Sequence, residues 1–233
     1  MRKLLLVVMF LPAFPTSLLA LELPADIAAK LPKAVTSDIA AEKGFIDSTV
    51  AGGKALYYQW AIGGQYATDV ATTITSIEPG LFREEIVTTS TDGSIVTEVR
   101  ISALGGLLPL ITEEQPKNDA AVDEALAEYK VDGSLFPLAV GNEFDISWQS
   151  AIMGTSEPFM NSEYECDVTK VVEASTFMVG LTGKAVEVAC EVELMGKNVG
   201  DEVYYYLVDI GYFVADSSRS KLTTRFDVRF VAQ

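Results

Sequence analysis

Histidine is missing from this sequence altogether, and only two cysteines occur, Cys166 and Cys190. Those two facts set most of the available chemistry. Without imidazole there is no Ser-His-Asp or Cys-His catalysis, no histidine metal site and no ordinary acid–base group titrating near neutrality. The cysteines lack the CxxC spacing of a zinc site. An even cysteine count in an exported chain reads as one disulfide, which would also remove both thiol nucleophiles. Closing that loop of 25 residues stabilises a fold by roughly 3–4 kcal/mol on a chain-entropy argument.

Paired carboxylates and Ser/Lys chemistry are the routes that remain. Glu84-Glu85, Glu113-Glu114 and Asp201-Glu202 are adjacent acids. On strands, neighbouring side chains point to opposite faces, so none of these pairs converges, and they read as solvated positions. Asp69 and Asp167 occupy matched places in two similar segments and offer oxygens to a cation, yet no spaced Ca²⁺ loop surrounds either. No catalytic residue, metal ligand set or cofactor site is therefore expected.

The elements that would position these residues are mostly strands. Arg2 and Lys3, the apolar run Leu4 to Leu11 and the small residues up to Ala20 read as a signal peptide cleaved near Ala20. Removing Arg2 and Lys3 leaves 15 basic residues against 33 acidic ones, a net charge of −18. Such a surface repels phosphate backbones and excludes nucleic acid as a partner. Residues 21–44 read as a loose, Ala-rich lead-in with one or two short helical turns split at Pro32.

Residues 45–112 read as an N-terminal β half. Leu56, Tyr58, Trp60 and Ile62 alternate at the period of a strand, and Asp92-Gly93 reads as a hairpin turn between two more. In 113–134, Val122, Leu126 and Tyr129 recur at spacings of four and three, which predicts a linking helix to about Lys130. Residues 135–233 form a C-terminal β half. Within it, Val186, Val188, Cys190, Val192 and Leu194 share one face of a strand, while Glu187, Glu191 and Glu193 share the other. Tyr164, Cys166 and Val168 share a face of the preceding strand, so a core-facing bridge between neighbours is geometrically reasonable.

Two segments match across the chain. Gly53-Lys54-x-Leu56-x-Tyr58-x-Trp60 parallels Gly141-Asn142-x-Phe144-x-Ile146-x-Trp148, and Tyr66-x-x-Asp69-Val70 parallels Tyr164-x-x-Asp167-Val168. The fold expected is mainly β: antiparallel curled sheets in two related halves, barrel- or sandwich-like, with a short linking helix.

A further pattern lies in the C-terminal half. Phe136, Pro137, Leu138, Val140, Gly141 and Phe144 open it, followed by Tyr164, Cys166 and Val168. Thr176-Phe177, Cys190, the run Tyr204-Tyr205-Tyr206 and Gly211 come next. This resembles a family of uncharacterised exported bacterial β domains, over about 100 of the 233 residues. The aromatic strand departs from that pattern in lacking a Trp. The resemblance implies a fold rather than an activity. The curled-sheet shape is also similar to half-barrels that carry lipoproteins or lipids across the periplasm, at the level of fold alone.

The function expected is a non-enzymatic periplasmic or secreted protein with a binding or envelope-assembly role. Tyr58, Trp60, Trp148, Tyr204 and Tyr206 are the candidate lining of an apolar groove for a hydrophobic ligand or an envelope protein. Tyr204 and Tyr206 point to one side of their strand; Tyr205 points to the other, toward an edge or interface. The alternative is a small outer-membrane β-barrel, which the strand lengths fit. The frequent acids, the disulfide and the mid-chain helix weigh against it.

Overall fold

In a computed structural model, the structure describes residues 19–45, 52–60, 66–90, 92–115, 123–155, 157–177, 181–216 and 231–232. It begins with strand β1 (Leu19–Ala20), helices α1 (Ala25–Ala28) and α2 (Lys33–Ala41), and strand β2 (Lys43–Phe45). Then follow β3 (Gly52–Trp60), β4 (Tyr66–Glu78), β5 (Leu81–Ser90), β6 (Ile95–Ala103), a 3-10 turn at Leu104–Gly106, β7 (Leu108–Gln115) and β8 (Glu124–Gly133). The remaining elements are β9 (Glu143–Ile152), β10 (Pro158–Glu173), helix α3 (Ala174–Phe177), β11 (Lys184–Leu194), β12 (Lys197–Leu207), β13 (Tyr212–Ala215) and β14 (Val231–Ala232).

The strands from β3 to β13 pair with their sequence neighbours in one antiparallel meander, and β14 adds beside β3 to give a 12-stranded sheet. Alternation along the strands explains the pairing, because each strand has one face to bury. Breaks in register interrupt several ladders, for example at Ser76/Glu78, Leu126/Glu128 and Val168/Lys170. Such bulges tighten the right-handed twist and bend the sheet.

The bending rolls the sheet without closing it. On the paired strands β12 and β13, Tyr206 and Phe213 face the main core. Tyr205, Leu207, Tyr212 and Val214 lie on the opposite side and pack with Ile74 of β4 and Phe82 of β5. Phe82 and Tyr212 meet edge to face at 5.0 Å. The early strands thus lie over the outer side of the last ones, and the chain covers the aromatic face expected to be an edge or interface.

The lead-in segment is a packed plug rather than a loose one. Pro24 and Pro32 precede the two helices, where a missing N–H costs nothing. Leu21, Ile27, Leu31, Val35 and Ile39 all enter the main core with Phe45. Lys30 Nζ sits 2.6 Å from Glu113 Oε1 and ties the plug to β7. Full burial of a side chain such as Ile39 stabilises by about 1.5–3 kcal/mol.

The predicted linking helix is the correction. Its segment forms β8, and 116–122 lie outside the described residues. The helical spacing has a physical origin. A bulge between Leu126 and Glu128 sets Leu126 opposite Ser150 and Tyr129 opposite Trp148, so the two side chains share a face three residues apart. With β8 hydrogen-bonded to β7 and β9, the two β halves run on as one sheet.

The segment matches fall on hairpins β3–β4 and β9–β10, but not in one register. Tyr58 faces Asp69, whereas its counterpart Ile146 faces Tyr164 rather than Asp167. The strand-to-strand likeness of β3 and β9 does not extend to their partners. The hairpin at Asp92-Gly93 is present, with Gly93 at φ 83° and the Asp92 carboxylate accepting the Ser94 N–H at 2.9 Å.

Candidate functional site

Rolling the sheet brings side chains from strands β4 through β13 round a cleft. It has two adjoining lobes of about 370 Å³ each, sharing Arg100, Pro109, Trp148 and Tyr164 as walls. Each lobe falls within the size range of small-molecule sites.

An aromatic ladder forms one wall. Trp148 on β9 stacks on Tyr164 of β10, with centroids 4.9 Å apart and planes at 23°. Tyr164 in turn lies 6.2 Å from Tyr204 of β12. The Tyr204 hydroxyl donates to Glu202 Oε2 at 2.8 Å. Burial pushes the Tyr204 phenol well above its ordinary value, and the neighbouring Tyr164 and Glu202 add to that.

A charged cluster forms the facing wall. Arg100 on β6 lies directly opposite Glu84 on β5. Its Nη2 donates to Glu98 Oε1 at 2.8 Å, and its Nη1 sits 3.8 Å from Glu84 Oε2. Ser102 Oγ donates to Glu84 Oε1, and Tyr212 also hydrogen-bonds to Glu84. Burial raises the Glu84 carboxyl, against the opposing pull of Arg100 and these hydroxyls. Burial works against the Arg100 charge, but Glu84 and Glu98 outweigh it and hold the guanidinium above its usual value. Glu124 on β8 accepts from Ser150 Oγ at 3.0 Å; burial raises its carboxyl, opposed by that bond, and Glu98 raises it further.

Two buried polar atoms on these walls have no hydrogen-bond partner: Arg100 Nε and Ser162 Oγ. Ser162 is 1% exposed and lies opposite Trp148 and Leu194 on the cleft side of β10.

Among the residues expected to line a groove, Trp148 and Tyr204 do. Tyr206 does not: it is buried beneath the plug, against Phe136 at 5.5 Å and Phe213 at 4.7 Å. The side chains of Tyr58 and Trp60, like that of Asp69, lie outside the described part of the structure. Sequence reading missed Tyr164, Tyr212 and Arg100. The signal for Tyr164 was available, since it shares a strand face with Cys166.

Glu84 corrects the reading of adjacent acids as solvated. Its neighbour Glu85 does point away, but Glu84 is only 4% exposed. Acids from different strands converge where adjacent acids cannot: Glu84, Glu98 and Glu124 come from β5, β6 and β8. Glu187, placed on a wet face by alternation, is also buried. It accepts from Tyr205 Oη at 2.5 Å and from Thr169 Oγ1 at 2.9 Å, with Lys170 Nζ at 3.0 Å.

Cys166 and Cys190 are directly opposite on β10 and β11 and form the disulfide, with Cα atoms 4.1 Å apart. Behind it, the outer face of β9 to β12 carries Glu143, Asp145, Glu165, Asp167, Glu191 and Asp201. Among the described residues no group of three or more acids, cysteines or histidines is arranged to hold a metal ion. No helix of the described residues is long and apolar enough to cross a membrane. No family model, no curated protein and no solved structure matches this chain.

Proposed function

We propose that this chain is a non-enzymatic binding protein of an oxidising compartment, periplasmic or secreted, holding a partly apolar ligand in the rolled sheet. The observation that carries this reading is the cleft itself. A sheet that filled its interior with aliphatic side chains would leave no such space, yet here Trp148, Tyr164 and Tyr204 border an open lobe. Aromatic rings beside a few convergent polar groups are the usual make-up of a ligand site. The signal-like N-terminus and the Cys166–Cys190 bridge support export. The motif likeness to exported bacterial β domains agrees with it.

The outer-membrane barrel reading has the outer face against it. Acids on β9 to β12 stand where a barrel presents its apolar band to lipid. Carboxylate catalysis is the second reading, favoured by Glu98 and Glu124 lining one lobe. Turnover of nitrophenyl glycosides or esters that is lost in Glu124→Gln would support it.

The binding reading is tested by native mass spectrometry of protein purified from periplasm without detergent. A small-molecule adduct is expected, removable by organic solvent and diminished in Trp148→Ala. Protein that carries no adduct and binds no N-phenyl-1-naphthylamine, an uncharged apolar dye, in the cleft would overturn the reading.

A further inference from the structure

We infer that the ligand of this cleft carries an ammonium-type cationic head on an apolar stem. This rests on the binding reading above and specifies its ligand class. Arg100 is the only basic residue among the described residues lining either lobe, and its two terminal nitrogens face Glu84 and Glu98. An anionic head would meet Glu98 and Glu124 in one lobe or Glu84 in the other, beside a single guanidinium whose terminal nitrogens already face Glu84 and Glu98 and of which only the Nε is unpartnered. A cation meets Glu98 and Glu124 across the lobe, with the Ser150 hydroxyl as the neutral partner of Glu124.

The opposite wall suits the same charge. Trp148 and Tyr164 both line this lobe, and an ammonium over a ring face that their stacking leaves free is attracted by the ring quadrupole. Met160 and Leu194 border the same lobe and supply apolar surface for a stem.

An independent observation points to a ligand in this lobe. Ser162 Oγ is buried on its wall without a partner, and buried hydroxyls in folded proteins are normally satisfied. A serine hydroxyl both donates and accepts, so this atom marks the lobe for a polar ligand group, and a primary ammonium is one that satisfies it, by donating an N–H to the oxygen.

The test compares three ten-carbon probes at equal concentration below micelle formation: decylammonium, decanol and decyl sulfate. Binding is read by calorimetry and by Trp148 emission in a Trp60→Phe background. Decylammonium is expected to bind at least tenfold more tightly than decyl sulfate. Glu124→Gln and Glu98→Gln should each weaken decylammonium several-fold with little effect on decanol. Ser162→Ala should weaken decylammonium while the melting transition stays cooperative. Equal or reversed affinities for the two charged probes would overturn the inference and leave the binding reading standing. A cation preference unchanged in both Gln variants would place it on the acidic outer face and likewise overturn it. Failure of all three probes to bind would overturn both.

Discussion

Trp148 and Tyr164 stack from adjacent strands, with ring centroids 4.9 Å apart, although Tyr164 is directly opposite Ile146 in the ladder. Their contact is diagonal, so it depends on the local twist of β9 against β10 as well as on burial. Such pairs contribute about 0.5–1.5 kcal/mol beyond the area they bury. In Trp60→Phe protein, where Trp148 is the sole indole, emission should be blue-shifted and poorly quenched by acrylamide. Tyr164→Leu should red-shift it and lower stability by about 1 kcal/mol in urea titrations. An unchanged spectrum would mean the stack is not formed in solution.

The disulfide should report on the fold as a whole. Cys166 and Cys190 are buried in the main core, so native protein should resist alkylation until it is both unfolded and reduced. Replacing both cysteines by alanine should lower unfolding free energy by about 3 kcal/mol, through the released chain entropy of the unfolded state. Ready iodoacetamide labelling of native protein would contradict the bridge.

Glu84 gives stability a pH dependence with a definite sign. Its carboxyl is raised above the ordinary value of 4.5, chiefly by burial. Between the ordinary and the raised value the folded chain binds more protons than the unfolded chain. This contribution is therefore fully present below pH 4.5 and is lost as pH rises toward the raised value. Glu84→Gln keeps groups for Ser102 and Tyr212 but cannot ionise. Wild type should be most favoured over this variant at acidic pH and progressively less favoured toward neutrality, as read by thermal melts. A difference that is constant or grows with pH would refute the assignment.

On the outer face, Glu165 lies directly opposite Asp145 on one side and Glu191 on the other. Like charges in direct opposition destabilise a sheet by about 0.2–1 kcal/mol each. Glu165→Lys should stabilise by about 1 kcal/mol at low ionic strength. Most of that gain should vanish in about 1 M salt, where the Debye length falls to about 3 Å. A gain independent of salt would point to a different cause.

Much of this molecule was legible from residue order. Period-two alternation marked the strands that carry Tyr164–Val168 and Val186–Leu194, Asp92-Gly93 marked its hairpin, and the shared faces of Cys166 and Cys190 made a core-facing bridge geometrically reasonable. The absence of histidine limits the chemistry by composition alone. Alternation reports which side of a strand is buried, but not what lies over either side. Hence Glu84, Glu187 and Tyr205 read as wet or edge positions until the rolled sheet covered them. The bulge at Leu126/Glu128 imitated a helical spacing because one extra residue shifts the side-chain phase. The cleft was a tertiary decision for the same reason. Arg100, Glu124, Trp148 and Tyr204 lie on four different strands, and only the accumulated twist and bending of the sheet brings them around one space.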